Sequence, residues 1–528
     1  MRAHEHNIIW QAANWLWRVS LVVLLQGCMS QTDMMSGVIQ AQLTGSPAQL
    51  QNYYRHRDYR PLWVDRQGPL PQATSLLAAL MAAGEEGLDP ACYSVQTIQQ
   101  LWPVKMTSAL ARLELILTNA FIKYSDDVRN GLLQPDTGDP NWRAYAGRPE
   151  ALPLLDELLA NHNFAVELRT LPPPHQGYRQ LREALRRHRH WAKQGGWPEI
   201  PAGPGLRRGQ RHAQVRLLRA RLMGEDSRLE QAKDPTLFDQ PLHEAVQDFQ
   251  QRHGLEAQGL VGAATRRAMN IPVSERIQQL KVNMDRWRWL PRELGDDYIM
   301  VNTAAYQLTA YVEQEPHMSM RVITGKPERP SPIVGGKLVQ VIINPDWVVP
   351  KTIAVKDILP ILQTDPDYLS KKKIHIFSSP QADAEEIDPD DIDWTEIDEN
   401  TFPYTLVQEP GVDNSLGRIK FVFLNDFAVF LHDTPIRELF ARNQRAFSSG
   451  CIRVENPKEL ANFLLGEDSG WDDEELEQSI SEGYTEKVQM ARPIPVYLVY
   501  WTAWVDKDQG VNFREDIYKW DQIRGKCT

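Results

Sequence analysis

Two short stretches near the carboxyl end, Phe427-Ala428-Val429-Phe430-Leu431-His432 and Ser448-Ser449-Gly450-Cys451-Ile452-Arg453, decide how the rest of the chain is interpreted. The first predicts a strand that ends at a histidine, and the second places a cysteine directly after a glycine. A thiol attacks well only as a thiolate, so an imidazole that accepts its proton equips Cys451 for acyl transfer. Gly450 leaves room for backbone N–H groups to approach an oxyanion. The alternative is a buried structural cysteine beside a core histidine.

Length and charge limit the classes of protein to which the chain can belong. At 528 residues it is too long for one hydrophobic core, which predicts about two to four domains. Its formal net charge of −11 argues against a nucleic-acid partner, because binding to phosphates requires a clustered excess of lysine and arginine.

Cysteine is scarce, and the four cysteines are too few for a fold built on disulfides. No paired spacing typical of zinc occurs, and the chain has no His-Glu-x-x-His motif. We therefore predict no metal and no cofactor. Cys92 and Cys527 are interpreted as inert, because nothing in the sequence supports a bridge between them.

The amino terminus predicts export. Arginines flank an apolar run at 19–25, which is too short to span a bilayer and has the size of a signal-peptide core. The run leads into Leu25-Gln26-Gly27-Cys28, which resembles a bacterial lipoprotein cleavage box, with Gln26 departing from the small or β-branched residue usual there. We expect 1–28 to be an export segment and Cys28 to be lipidated, an uncleaved anchor or ordinary cleavage being the alternatives. Each predicts a periplasmic protein.

The next part of the chain is predicted to be mostly helical. A flexible polar tether is expected over 29–45, followed by an α-helical scaffold over 46–201, in which Leu113, Leu117 and Phe121 recur at helical spacing. A compact three-helix unit is predicted over 206–272. It resembles the peptidoglycan-binding domain found on many bacterial wall enzymes, and the matching residues are Phe249-Gln250, His253-Gly254-Leu255, Gly259-Leu260-Val261-Gly262 and Thr265.

The pattern changes to β after a connecting helix predicted over 273–296. Short β-branched or aromatic runs separated by glycine and proline predict a β-rich domain over 297–528. Within it, 347–406 interrupts the strand pattern and is interpreted as an inserted, lid-like segment. The acidic run 383–399 in this segment is interpreted as a solvated loop, because it lacks the spacing of a calcium-binding loop.

With these residues in place, the chain resembles a bacterial L,D-transpeptidase of the large, three-part periplasmic type. The family motif reads His, a spacer, Ser or Thr, a variable residue, Gly, Cys and soon an Arg; here fifteen residues separate His432 from Ser448. Ser449 stands where many smaller members have a second histidine, and Phe430 stands where related enzymes often have tyrosine. Supporting stretches occur in the expected order at 282–291, 344–350, 408–411 and 414–417.

The resemblance implies a multidomain α+β protein that acts on peptidoglycan. In the implied mechanism, the Cys451 thiolate attacks the carbonyl of the third residue of a tetrapeptide stem, and terminal D-Ala leaves. His432 takes the thiol proton, and the N–H groups of Gly450 and Cys451 stabilise the oxyanion. The side-chain amine of a second stem then resolves the thioester into a cross-link between two third residues.

The resemblance also gives roles to the surrounding residues. Ser448 is preferred over Asp433 as the group that orients His432, because adjacent residues at a strand end point apart. Arg453 has two interpretations, in which it holds a substrate carboxylate or anchors the loop through backbone carbonyls. The remaining residues expected to bind substrate are Ser449, Asn414 and Trp347.

The implied partners are peptidoglycan stem peptides, carbapenem-type inhibitors and other wall-synthesis enzymes, with no nucleic acid and with membrane contact only through the N-terminal segment. Two other functions stay open. The same acyl-enzyme resolved by water would give a thiol peptidase or amidase that trims stems, and a non-catalytic chain would be a peptidoglycan-binding scaffold. Whether the acceptor is another stem or a lipoprotein is also open.

Overall fold

The structure is a computed structural model that describes residues 31–132, 150–161, 163–381, 383–466, 470–507 and 510–522. The export segment with Cys28, and also Cys527, lie outside these ranges. Within them the chain forms two compact units, one comprising 31–132 and 150–173 and the other beginning at Pro174.

The first unit is a helical domain around one long central helix. Its helices are α1 Gln31–Gln42, α2 Ala48–His56, α3 Pro71–Ala82, α4 Val95–Leu101, α5 Thr107–Asn130, α6 Ala151–Ala160 and α7 Phe164–Leu168, with 3₁₀ turns at Ala83–Glu86 and Pro90–Tyr93 and a two-residue hairpin of β1 Val64–Asp65 and β2 Gly68–Pro69. The helix α5 is central because apolar side chains recur on one face, and Leu113, Leu117 and Phe121 are fully buried.

One sequence interpretation fails in this unit, and the structure adds a disulfide that the sequence did not indicate. The stretch 31–42 of the expected flexible tether (29–45) is helical, because Met35, Ile39 and Leu43 lie four residues apart and bury one face in the core of the unit. Cys92 is disulfide-bonded and so is not a free thiol, and its bond partner lies outside the described residues.

The second unit begins with helix α8 Gln176–Lys193, which the sequence assigned to the scaffold (46–201). Its face of Tyr178, Leu181 and Leu185 packs in one core with the connecting helix α12 Val273–Trp287 and with strands of the carboxyl-terminal domain. The proline run at 172–174 therefore marks the start of this unit better than the later linker does.

The three-helix unit predicted over 206–272 consists of α9 Gln214–Met223, α10 Gln240–Arg252 and α11 Ala263–Met269, with a 3₁₀ turn at Ser227–Gln231. Leu218, Val246 and Phe249 are fully buried between the helices. Glycine is required at Gly259, where φ is +70° and a Cβ would lie 2.1 Å from the ring of His243.

The carboxyl-terminal domain is built on a nine-stranded mixed sheet with the order β13-β5-β14-β12-β11-β6-β15-β3-β4. Because β4 also pairs with β5, the sheet closes on itself around an apolar core. The strands are β3 Tyr298–Asn302, β4 Gln307–Val312, β5 Glu315–Gly325, β6 Val334–Ile343, β7 Trp347–Val348, β8 Ile374–Phe377, β9 Glu386–Ile387, β10 Thr405–Gln408, β11 Ile419–Phe423, β12 Leu431–His432, β13 Ala446–Ser448, β14 Ile452–Val454, β15 Glu486–Val499, β16 Ala503–Val505 and β17 Val511–Phe513.

The interrupting segment 347–406 folds as a small subdomain with its own core. Its strands form a separate four-stranded sheet of order β7-β10-β8-β9. The helical stretch 351–362 contains a five-residue π-helix, Ala354–Ile358, of the kind often found near functional sites. The remaining helices of the domain are Tyr368–Lys371, Pro457–Leu465 and Asp473–Glu482, with 3₁₀ turns at Pro389–Asp391, Trp394–Glu396 and Arg437–Ala441.

In the described ranges, no helix combines the length and the apolar character that crossing a bilayer demands. No cluster of histidine, cysteine and carboxylate side chains with the arrangement of a metal site occurs among the same residues.

Candidate active site

The sheet brings the stretches 427–432 and 448–453 together. Strand β12 ends at His432, and β14 begins directly after Cys451 and runs parallel to it, with Leu431 opposite Ile452 and His432 opposite Arg453. His432, Cys451 and Arg453 line a cavity of about 520 Å³. A cavity of this size accommodates a short peptide.

His432 is buried, and its ring is held by the backbone rather than by a side chain. Nδ1 lies 2.5 Å from the carbonyl oxygen of Asp433. A carbonyl only accepts hydrogen bonds, which assigns the proton to Nδ1 and leaves Nε2 as the basic nitrogen. Burial, together with the nearby charges of Arg453 and Lys420, lowers the pKa of His432 to about 3. The imidazole is therefore neutral at pH 7 and able to accept a proton.

The expectation that Ser448 orients His432 is wrong. The Ser448 hydroxyl donates to the carbonyl of Cys451 at 2.6 Å and accepts from the N–H of Gly450 at 3.2 Å, so it closes the turn that presents the thiol. The Asp433 side chain does not take the role either, because its carboxylate accepts from Arg437 and from the backbone N–H of Arg418. The orienting group is the Asp433 carbonyl.

The same turn leaves fewer oxyanion donors than the sequence predicted. Gly450 has φ +115°, a conformation that favours glycine, but its N–H is already bonded to Ser448. Its carbonyl accepts from the Ser331 hydroxyl at 2.7 Å. Within the described part of the chain, the backbone N–H of Cys451 donates to no acceptor. Of the two expected donors, only the Cys451 N–H is therefore available to an oxyanion.

Cys451 is a half-buried free thiol, and the groups around it act in opposite directions. Burial raises the pKa of the Cys451 thiol, whereas a hydrogen bond from the backbone of Phe430 and the charges of Lys420 and Arg453 lower it. At pH 7 the pair is therefore a thiol and a neutral imidazole, which is the protonation state that general-base catalysis requires.

Lys420 is a site residue that the sequence analysis missed. It lies on β11 directly opposite His432, and Arg453 lies opposite His432 on the other side, so the three residues form a row across neighbouring strands. The Lys420 Nζ lies 3.9 Å from the centre of the Phe430 ring, a cation–π contact. A lysine as the second residue of the otherwise apolar strand Ile419–Phe423 is the sequence signal that identifies it.

The structure separates the two interpretations of Arg453. Anchoring the loop would require hydrogen bonds from its guanidinium to backbone carbonyls. Among the described residues, the Arg453 side chain makes no hydrogen bond and no ion pair, although it lines the cavity. Burial lowers its pKa, and the Cys451 charge opposes that shift. The guanidinium is available for a substrate carboxylate.

Ser449 connects the nucleophile turn to the inserted subdomain. Its hydroxyl accepts from Arg329 Nη1 at 3.0 Å, and Arg329 also binds the carboxylate of Asp357, with 2.9 Å between Nη2 and Oδ1. Asp357 belongs to the π-helix of the inserted subdomain. Trp347, at the start of the same subdomain, also lines the cavity, and its role in binding substrate stays a prediction.

Asn414 does not line the cavity, which contradicts its expected role in binding substrate. It is buried, and its side-chain nitrogen donates to the carbonyls of Glu409 and Pro345, while its oxygen accepts from the N–H of Leu416. The amide therefore closes the loop after β10, and its polar atoms are already bonded within the protein.

We expect Ser448→Ala to lower the free energy of unfolding by about 1–3 kcal/mol, because the buried N–H of Gly450 and the partly buried carbonyl of Cys451 lose their partner. Urea unfolding followed by circular dichroism measures the change. Ser449→Ala is the matched control, since the Ser449 hydroxyl is exposed, and it should change stability by under about 0.5 kcal/mol. Equal stability of both variants would contradict the assigned role of Ser448.

We expect Lys420→Met to slow alkylation of Cys451 by iodoacetamide about fivefold at pH 7. Removing the cation disfavours the thiolate by ~1 kcal/mol, the value of a partly solvated charge pair. Lys420→Arg retains the charge and should retain most of the rate. Mass spectrometry over a pH series measures alkylation, and the Lys420→Met rate should approach the native rate as pH rises. A Met variant as fast as the native protein at pH 7 would contradict the placement of Lys420.

Comparisons with known proteins show what the chain is similar to. The family model described as "L,D-transpeptidase catalytic domain" matches residues 296–490. The model described as "Putative peptidoglycan binding domain" matches 211–269, and that described as "Scaffold domain" matches 48–185. A Haemophilus influenzae protein named "Putative L,D-transpeptidase" is 37% identical over 257 residues, which cover 48% of this chain and 51% of that protein. The chain thus spans about half the length of the curated relative that it matches.

Among solved structures, an L,D-transpeptidase from Mycobacterium smegmatis is similar over 38% of this chain and 58% of its own, at 14% identity and a TM-score of 0.18. An L,D-transpeptidase from Xylanimonas cellulosilytica is similar over 57% of this chain and 100% of its own, at 15% identity and a TM-score of 0.19. Along the chain, three regions are thus similar, in order, to the models of a scaffold domain, a putative peptidoglycan-binding domain and an L,D-transpeptidase catalytic domain.

Proposed function

We propose that this protein cross-links peptidoglycan stem peptides through a thioester on Cys451. One observation carries the proposal: a free thiol, a neutral imidazole and an unpaired guanidinium, those of Cys451, His432 and Arg453, line one cavity in a domain of matching family. These groups supply a nucleophile, a base and an anchor for a carboxylate.

In the first step, a tetrapeptide stem binds with a carboxylate at Arg453. His432 Nε2 takes the thiol proton as the sulfur attacks the carbonyl of the third residue, and the N–H of Cys451 donates to the oxyanion. The bond between carbon and sulfur forms, the peptide bond to D-Ala breaks, and the leaving amine takes the proton back from His432.

In the second step, the side-chain amine of another stem attacks the thioester. His432 accepts a proton from that amine, the bond between carbon and sulfur breaks, and Cys451 recovers its proton. The product is a cross-link between two third residues. The free energy of the original peptide bond is retained in the thioester, so the reaction requires no nucleotide.

We also propose that the protein acts in the periplasm, tethered by a lipidated Cys28 or by an uncleaved amino-terminal segment. The apolar run at 19–25 and the following Gly27-Cys28 support this proposal. Radiolabelled palmitate should be incorporated into the native protein and not into Cys28→Ala, and incorporation into both would contradict the lipidation of Cys28.

Product analysis tests the function. Incubated with purified disaccharide-tetrapeptide, the native protein should form dimers joined between third residues and should release D-Ala, as measured by chromatography and mass spectrometry. A carbapenem should add its mass once to the chain, at Cys451, and abolish the dimers. Tripeptide without dimers would identify a thiol peptidase instead, and unmodified substrate with an unreactive Cys451 would indicate a non-catalytic scaffold.

A further inference from the structure

A second cleft of about 670 Å³ lies away from the residues that line the thiol cavity. One wall belongs to the three-helix unit, with residues from the ends of α9 and α10. The other wall comes from α8 and from the hairpin of β16 and β17, which is part of the carboxyl-terminal domain. The matched peptidoglycan-binding domain therefore contributes only part of the cleft.

One side of the cleft is aromatic. The rings of Trp191 and Trp197 are half-buried, with centroids 6.2 Å apart and an angle of 66° between their planes. The His188 ring lies 4.8 Å from Trp191 and 5.8 Å from Phe513. Burial lowers the pKa of His188 to about 4, so this ring is uncharged at neutral pH. The Arg221 guanidinium lies over the Trp197 ring, with 4.1 Å from Cζ to the ring centre. The exposed parts of the two indole rings offer a stacking surface to the apolar face of a sugar ring.

The polar side of the cleft has an excess of buried positive charge. Glu225 lies between Arg221, at 2.7 Å, and Arg252, at 2.8 Å. Burial raises the pKa of Glu225, but the two guanidinium groups outweigh it and hold that pKa below its usual range. The carboxylate is therefore ionised and already shared between two arginines.

Arg276 is the third arginine, and it is bonded to neutral groups alone: Nη1 donates to Gln279 Oε1 at 2.7 Å, and Nη2 donates to the carbonyl of Ala268 at 3.4 Å. Its side chain is 5% exposed and lies over the Phe513 ring, with 4.3 Å from Cζ to the ring centre. Its Nε has no hydrogen-bond partner, and no carboxylate among the described residues lies within 4.0 Å of its nitrogens. Burial and the charge of Arg221 lower its pKa to about 9, so it is still charged at pH 7. Glu225 and Glu275 favour the charged form from a longer distance. A buried cation with no carboxylate in contact is stabilised further when a ligand supplies one.

We propose that this cleft binds a second segment of peptidoglycan, with a sugar ring against Trp191 and Trp197 and a stem-peptide carboxylate at Arg276. The proposal rests on the proposed function, since it deepens the substrate class of the same protein. Because the cleft joins the peptidoglycan-binding domain to the hairpin that follows β15, a bound strand contacts the carboxyl-terminal domain directly. The site thus holds wall material on the protein independently of the acyl-enzyme.

Calorimetric titration of the full chain tests the proposal. Cys451 is first alkylated with iodoacetamide in an Arg453→Gln background, which removes the nucleophile and the carboxylate anchor of the thiol cavity whether or not the protein is a transpeptidase. Disaccharide-tetrapeptide should still bind with a stoichiometry of one. Arg276→Gln and Trp191→Ala should each weaken this binding at least about tenfold. The matched control is Arg216→Gln, an exposed arginine of α9 that does not line the cleft, and it should leave binding unchanged.

Two ligands and one further variant sharpen the result. Chitotetraose, which has sugar rings but no carboxylate, should bind at least about tenfold more weakly than the muropeptide, and Arg276→Lys should retain part of the affinity where Arg276→Gln loses it. Absence of binding to the alkylated protein, equal affinity of all arginine variants, or displacement of the muropeptide by an equal concentration of inorganic phosphate would overturn the proposal. Failure of the proposed function would instead appear as absent dimers from the native protein.

Discussion

Cys451→Ala is expected to abolish dimer formation, with a loss of about 10⁴-fold or more relative to the native protein. The alanine side chain offers no atom on which a thioester can form, and Cys451 is the free cysteine within the described residues. His432 and Arg453 would still be able to hold the stem, so binding of tetrapeptide should change far less than turnover. Chromatography of the products measures the first quantity, and calorimetry measures the second.

The control for this variant separates chemistry from folding. Ser481→Ala changes an exposed helical hydroxyl that donates only to the carbonyl of Gln478, and it should leave cross-linking unchanged. The midpoint urea concentration for unfolding of Cys451→Ala should equal that of the native protein, apart from the small change caused by losing one half-buried side chain. Dimers formed by a folded Cys451→Ala protein would disprove the thioester mechanism.

The nucleophile and base were predictable from the sequence because each is a side chain with a distinctive type and spacing. The groups that support them were not. The orienting partner of His432 is the carbonyl of Asp433, and Phe430 contacts the thiol through its backbone. Backbone groups have the same chemistry at every residue, so a residue type cannot identify them.

A further part of the site depends on the register between strands, which the sequence does not show. Lys420 precedes His432 by 12 residues in the chain, and only the register of β11 against β12 places the two side chains opposite each other. Ser448 was misassigned for the opposite reason. Its position beside Gly450 suggested catalysis, whereas the tight turn at φ +115° uses its hydroxyl to bond two buried backbone groups.

For the fold, periodicity predicted more than composition did. The polar composition of 29–45 suggested a tether, but the spacing of Met35, Ile39 and Leu43 defines a helix that packs in the first unit. The basic helix α8 was placed with the scaffold by its order in the chain. Its apolar face instead packs in one core with α12. Sequence order alone does not reveal which surface covers a helix.

His432→Gln is expected to lower the rate of Cys451 acylation by a carbapenem about 10³-fold at pH 7, because glutamine cannot accept the thiol proton. The residual reaction then depends on thiolate that forms without a base. Burial raises the pKa of Cys451, so below that pKa the residual rate should rise about tenfold for each unit of pH.

The acylation rate of the native protein should depend on pH in a different way, and this difference identifies His432 as the base. Burial and two neighbouring cations lower the pKa of His432 to about 3, so the imidazole is deprotonated throughout the range above it. Between pH 5 and 8 the native rate should therefore lack the acid limb that an ordinary histidine, with a pKa of about 6.5, would produce. Mass spectrometry of the acyl-enzyme at timed intervals measures both profiles. An acid limb centred near pH 6.5 in the native protein would mean that a charged imidazole is stable in this site, which the flanking row of Lys420 and Arg453 opposes.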